Sequence, residues 1–147
     1  MFTKQVTESI EIDADGAHVW AVLTASDASW NPFIREWEGS FAVGEKTKVK
    51  LGPPNERPFT FRPRVLVVEP GRSLEWLGRT GGIPLLFDGH HRFLIEPIGE
   101  GRVRFTQSET FRGALVPLLG SLLKKTGEGF RLMNEALRDR AQQSPAR

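Results

Sequence analysis

The 147-residue sequence has no cysteine, no tyrosine and only three histidines, His18, His90 and His91. Without a thiol there is no disulfide framework, cysteine nucleophile, thiolate zinc site or Cys-ligated iron–sulfur cluster. Without a phenol, no tyrosine serves as acid, oxyanion donor or nucleophile. No apolar run approaches the roughly 18 residues that span a bilayer, so no membrane insertion is expected. The N-terminus alternates polar and apolar residues with no signal-peptide core, and the expected location is the cytoplasm. Charge of one dominant sign is also lacking, since the net charge is only +2. The excess sits from Arg112 onward, in a helix candidate with Lys124, Lys125, Arg131, Arg138 and Arg140, sparser than a basic patch with interleaved exposed aromatics. That pattern is a solvated helix face rather than a nucleic-acid footprint. No nucleic-acid partner is expected.

What is present describes one ordinary folded domain, with 39% hydrophobic and 26% charged residues. A chain this long buries roughly 68–70% of its unfolded surface and needs neither metal nor disulfide to fold. The domain is expected over 1–142, with a disordered polar tail at 143–147. Phe2–Ile12 reads as a strand, with Val6, Ile10 and Ile12 in one phase. Asp13 or Asp15 caps a short helix carrying Val19, Trp20 and Leu23, and a second short helix or turn begins at Ser26-Asp27-Ala28-Ser29. Six further strands are predicted at Ile34–Val43, Lys46–Leu51, Phe59–Glu69, Ser73–Arg79, Phe87–Glu96 and Val103–Phe111, separated by Gly/Pro signals. Their short connections make them antiparallel, and Pro63 favours an edge or a bulge. From Leu115 the period becomes helical, through Leu118, Leu119, Leu122, Thr126, Phe130, Met133 and Leu137. Gly127 and Gly129 weaken that helix by about 1 kcal/mol each, which close packing against the sheet would explain. The order predicts an α+β domain. A curved seven-stranded antiparallel sheet wraps around one long C-terminal helix, with two short helices after the first strand.

Such a curl leaves a cavity between sheet and helix, and strand phase predicts its lining. Phe59, Phe61, Pro63, Val65 and Val67 share one face; Leu74, Trp76 and Gly78 another; His91, Phe93 and Ile95 a third, with His90 outward. In the last strand Val103, Phe105, Gln107, Glu109 and Phe111 share a phase that turns polar in its middle. Burying a carboxylate costs several kcal/mol unless it is paired or hydrated. Glu109 therefore either faces a ligand or sits at a wet sheet end beside an arginine. His91 and Glu109 are the inward titratable pair, with Asn31, Gln107 and Asn134 as candidate polar partners. His91 would act as base, Glu109 would orient it and an amide would polarise a carbonyl. A structural role for both, His91 bonded within the sheet, is the other reading. His90 and His91 point to opposite faces and cannot share one ion, so no metal site and no cofactor are expected. Gly78-Arg79-Thr80-Gly81-Gly82 and Gly99-Glu100-Gly101 read as turns, because neither has a Walker lysine or a following βαβ unit.

Several stretches in order resemble the START-like (SRPBCC, Bet v 1-like) superfamily. They are Ile10-Glu11-Ile12-Asp13-Ala14 with His18-Val19-Trp20-Ala21-Val22-Leu23-Thr24, then Trp30-Asn31-Pro32-Phe33 and Val68-Glu69-Pro70-Gly71-Arg72-Ser73-Leu74-Glu75-Trp76. His91-Arg92-Phe93, Phe105-Thr106-Gln107-Ser108-Glu109, Phe111-Arg112-Gly113 and Phe130-Arg131-Leu132-Met133-Asn134-Glu135-Ala136-Leu137 complete the match. The likeness runs from Phe2 to Gln142 and is nearest to the polyketide cyclase/dehydrase and lipid-transport branch. It implies a helix-grip fold around a hydrophobic tunnel. It further implies binding of a lipid or polyketide-like molecule, with cyclisation or dehydration in a minority of members and chaperone assistance in some. Family cyclases often carry a pocket Tyr or Arg; this chain has no Tyr and no Arg phased inward. The expected function is binding of a hydrophobic or aromatic small molecule lined by Trp30, Phe61, Trp76, His91, Phe93, Gln107, Glu109, Phe111, Phe130 and Asn134. The alternatives are a cyclase/dehydratase using His91 and Glu109, and an interaction module that uses the basic helix face or the loop Gly52–Pro58. A monomer or weak homodimer is expected.

Overall fold

The computed structural model describes residues 2–38, 41–52, 57–79 and 83–143. Strand β1 (Thr3–Ile12) leads into helix α1 (Gly16–Thr24), which starts where the Asp15 carboxylate accepts the His18 N–H at 2.8 Å, an N-cap that satisfies one orphan donor. The second short helix does not form. Asp27 accepts the Ser29 N–H at 3.0 Å, and buried Asn31 accepts those of Phe33 and Ile34, both at 2.9 Å. These side-chain bonds offer the backbone an alternative to helix and launch β2 instead. Asn31 is thus a local anchor rather than a partner of His91.

Strands β2 (Ile34–Glu38), β3 (Lys48–Leu51) and β4 (Phe59–Phe61) form a three-stranded antiparallel sheet in chain order. Strands β5 (Arg64–Glu69), β6 (Ser73–Arg79), β7 (Asp88–Gly99) and β8 (Arg102–Arg112) join β1 in a five-stranded antiparallel sheet of order β1-β8-β7-β6-β5. The described residues therefore hold eight strands in two sheets instead of seven in one. The break falls at Arg62-Pro63 inside the expected Phe59–Glu69 strand. Pro63 has no N–H for a ladder; its carbonyl accepts from Thr47 at 3.0 Å, and Val65 exchanges bonds with Gly44 and Glu45 at 2.8 Å each. The chain turns this corner from one sheet into the other.

Pro117 lies in a 3-10 turn (Val116–Leu118), and the long helix α2 (Gly120–Gln143) follows it, packed on β1 and β8. Its glycines have work to do. A Cβ at Gly129 would run into the Phe33 ring, and one at Gly127 would stand 3.3 Å from Val6 Cγ1. Close approach of α2 offsets the weakened helix propensity. Ile12, Val19, Leu23, Ile95, Phe105, Phe130, Met133 and Leu137 form part of one core between the helices and the sheet, each contributing about 1.5–3 kcal/mol by burial. Of the expected tail at 143–147, Gln143 instead closes α2 and 144–147 lie outside the described residues, as do 53–56 of the Gly52–Pro58 loop and 80–82 of the Gly78–Gly82 turn.

Candidate functional site at the glycine end of the sheet

Residues opposite one another on antiparallel strands share a face. The pairings Trp76–His91, His91–Glu109 and Glu109–Val6 therefore draw one row across the inner face from β6 to β1. The row beside it is Gly78–Gly89–Phe111, and the row on its other side is Leu74–Phe93–Gln107–Glu8. The strand phasing of His91, Phe93, Gln107 and Glu109 thus brings all four to the face covered by α2.

His91 is 1% exposed and surrounded by rings. Phe93 stacks on it at 4.3 Å, Phe130 sits at 4.9 Å and Trp76 at 5.3 Å. One ring nitrogen is hydrogen-bonded and the other stands at ion-pair distance from a carboxyl. Nδ1 lies 3.2 Å from Glu109 Oε1 and Nε2 lies 3.0 Å from Gln107 Oε1. Gln107 Nε2 donates to Asn134 Oδ1 at 2.8 Å, and Asn134 Nδ2 donates to the Glu8 carbonyl at 3.1 Å. Four side chains thus form one chain from β8 through β7 and back to α2, tied at its far end to the backbone of β1. Unsatisfied, such groups would cost about 1–3 kcal/mol each. Gln107 and Asn134, 0% and 1% exposed, turn their amides toward each other rather than toward open space. Glu109 is the end of the chain that opens outward, with its side chain 18% exposed.

Beside Glu109 the inner face has a floor without side chains. Gly78 and Gly89 are cross-strand partners. A Cβ on Gly78 would meet the Phe61 ring at 3.2 Å, and one on Gly89 would strike Glu109 Oε2. The Phe61 ring therefore lies on Gly78, and the Glu109 carboxyl lies over Gly89. Phe111 borders this floor and stacks on Phe87 at 5.2 Å and 13°.

Not every expected residue joins this cluster. Trp30 is half-buried among Ala21, Val22, Ala25, Asp27 and Arg140, lining a shallow depression of about 220 Å³ by α1 and the C-terminal end of α2. A second depression, of about 340 Å³, is lined by Thr24, Ala25, Ser26, Trp37, Glu38 and Phe41. His91 and Glu109 line neither. His90, on the outer face, pairs with Glu75 at 2.7 Å, and His18 Nε2 donates to the Ala141 carbonyl at 3.0 Å, tying α1 to α2. Among the described residues no group of three His, Asp or Glu converges as a metal site, and no helix is long and apolar enough to cross a membrane. Among the described residues the Asp27 carboxyl departs clearly from its ordinary value. Hydrogen bonds from Ser29, then the Arg140 charge, hold its carboxyl below its ordinary 3.8 against the opposing effect of desolvation.

The family model for polyketide cyclase / dehydrase and lipid transport matches residues 3–142. The chain belongs to that family. A search of curated protein sequences gave no match. Solved structures share the fold at low identity. The aromatase/cyclase Zhui from Streptomyces sp. R1128 superposes with a TM-score of 0.75 at 14% identity, covering 97% of this chain and 95% of that one. Norcoclaurine synthase from Thalictrum flavum, in complex with dopamine and hydroxybenzaldehyde, gives 0.71 at 16%, covering 99% and 90%. A START superfamily protein from Mycobacterium smegmatis gives 0.70 at 17%, covering 95% and 97%.

In this polyketide cyclase/dehydrase family member, strand phasing alone misses Trp37. A register shift between Ile34 and Glu36 puts Ile34 opposite Leu51 and Trp37 opposite Val49, so both face inward although they are three residues apart. Trp37 packs on Phe41, Trp76 and Phe93 at 4.9, 5.1 and 6.1 Å, and its indole N–H has no hydrogen-bond partner. No alternation rule finds a residue behind a bulge. Trp37, Trp76, His91, Phe93 and Phe130 pack ring on ring in the family member's interior, and Phe61 rests on the glycine floor.

Proposed function

We propose that this domain binds a small molecule with a flat apolar ring between the five-stranded sheet and α2. The ring would lie on the Gly78–Gly89 floor, with Glu109 as the polar end of the site. The observation that carries this reading is the Phe61 ring seated on Gly78 beside the Glu109 carboxyl over Gly89. It is a side-chain stand-in for a planar ligand. Apolar walls with a few convergent polar groups are the usual build of a small-molecule site. The family's description names lipid transport and polyketide chemistry, and the norcoclaurine synthase of the same fold holds two small aromatic molecules; both support a ring-bearing apolar ligand. Because Phe61 occupies the floor in the free protein, a ligand must displace it. Apparent affinity is reduced by the fraction of molecules in which the floor is closed. The truncation Phe61→Ala is therefore expected to tighten binding of 2-naphthol severalfold in a calorimetric titration, and Gly78→Val to abolish it. Unchanged affinity in both variants would overturn the reading.

A second reading, cyclisation or dehydration of a polyketide-like substrate, is favoured by the His91–Glu109 contact at 3.2 Å. In this reading Glu109 would be the base and His91 would orient it. Glu109 reaches outward, and His91 stands behind it. A catalyst of this kind would lose turnover in Glu109→Gln while retaining apolar binding, whereas a pure binding protein has no turnover to lose.

A further inference from the structure

We infer that the end of the domain formed by residues 2–6, 83–87 and 112–125 docks on the surface of an anionic lipid bilayer. The backbone ties these three segments together. The Gly113 N–H donates to the Phe2 carbonyl at 3.0 Å, and the Ala114 and Leu115 N–H groups donate to the Leu85 and Leu86 carbonyls at 3.1 Å each. Beneath them Phe111, Val116 and Leu123 form a small core of their own, packed with Val6 and Phe87. That core takes the inward residues and leaves others outside. Of the seven large apolar side chains exposed among the described residues, five lie on these segments: Phe2, Ile83, Leu85, Leu118 and Leu122, with Leu118 78% exposed. Single exposed apolar residues are ordinary, but five gathered on three bonded segments mark an interaction surface.

Leu85 adds an independent sign. Among the described residues it is the only non-glycine with a positive φ, 62°, a region that bulky side chains seldom adopt. Its N–H lies 3.3 Å from both carboxylate oxygens of Asp88, and its carbonyl accepts from Ala114. Glycine or asparagine would fit this backbone with less strain. The loop thus tolerates strain while presenting an apolar side chain to water. Charge decides the partner. In residues 2–6, 83–87 and 112–125 the charged side chains are Lys4, Arg112, Lys124 and Lys125, all exposed, and no carboxylate occurs. The adjoining Asp88 is buried and faces Leu85 and Arg79. Two copies of the chain meeting on this face would bring like charges together. An anionic bilayer supplies negative headgroups for the cations and hydrocarbon for the leucines. The docking is peripheral, because no helix among the described residues is long and apolar enough to cross a membrane. It does not depend on the ring site, and vesicle binding without a ligand tests it separately.

The full chain is tested by co-sedimentation with vesicles. Vesicles of phosphatidylserine and phosphatidylcholine in equal parts are expected to carry the protein down. Phosphatidylcholine alone should bind it at least about tenfold more weakly. Leu118→Asp is expected to weaken binding to the mixed vesicles about tenfold, with the melting temperature unchanged because the side chain is exposed. Lys124→Glu should weaken it about fivefold. Leu85→Asn should weaken it severalfold without lowering the melting temperature, whereas a leucine needed for folding would lower it. Absence of binding to the mixed vesicles would overturn the inference. Binding that Leu118→Asp and Leu85→Asn leave unchanged would also overturn it, since the cations alone would then suffice. A wild-type dimer in light scattering that Leu118→Asp dissociates would overturn it in favour of a second copy on this face.

Discussion

The two ends of the space between sheet and helix are built on different terms. At one end Ile12, Leu23, Ile95, Val103, Leu137 and Ala141 meet where α1, the C-terminal half of α2 and the ends of β1, β7 and β8 converge, each no more than 2% exposed. All six side chains are apolar. At the other end β6, β7 and β8 carry Gly78, Gly89, His91, Gln107 and Glu109, while Leu85, Leu118 and Leu122 are exposed. A strand-interior glycine costs roughly 0.5–1 kcal/mol relative to alanine, and a buried polar chain contributes little net stability beyond satisfying itself. An apolar sheet face would fold more stably. The difference separates a region built for stability from one whose composition makes sense as a place for something else to bind.

The largest effect should come from the closed end. Leu137→Ala removes a fully buried side chain and should cost about 2–5 kcal/mol in urea denaturation, with ligand affinity per folded molecule unchanged. Next comes the polar chain. Gln107→Leu orphans His91 Nε2 and the Asn134 amide oxygen; its added apolar side chain offsets part of that loss, and the variant should cost about 1–3 kcal/mol in all in the same assay. A smaller loss is expected from Gly89→Ala. The new methyl displaces the flexible end of Glu109, so stability should change by less than about 1 kcal/mol while the Nδ1–Oε1 contact breaks. The His91 nitrogen-15 spectrum would report that change. If Gly89→Ala destabilised the fold as much as Leu137→Ala, the two ends would not differ as described.

The smallest effect lies outside both ends, at Asp27. Its carboxyl is held below 3.8 in the folded state, so its contribution is present above that value and lost as the pH falls through the lower folded one. The melting temperature of Asp27→Asn should therefore fall slightly less than that of wild type between pH 6 and pH 3. An identical fall in both would show that the Ser29 and Arg140 contacts do not act on stability.

Much of this architecture was legible in the residues themselves. Alternation along β7 and β8 puts His91, Gln107 and Glu109 on the face opposite His90, because the side-chain period of a strand is two. The α2 period was equally plain. The misses have local causes. Pro63 splits one expected strand because its missing N–H ends the ladder, and Asn31 replaces a short helix with a side-chain-bonded turn. A bulge hides Trp37. Gln107 and Asn134 carry the right residue types for ligand contact, yet they satisfy each other, since the approach of α2 to β8 is a tertiary fact that spacing along the chain does not encode. Gly89 is silent in sequence for a similar reason: its meaning is the carboxyl lying over it.

The central claim is that the glycine floor, rather than the outer depressions at Trp30 or Trp37, receives the ligand. Intermolecular nuclear Overhauser effects between bound 2-naphthol and the protein address it directly. Contacts to the Hα atoms of Gly78 and Gly89, with the Phe61 ring displaced, are the predicted result. Contacts to Ala21, Val22 or Ala25, with Phe61 still seated on Gly78, would contradict it.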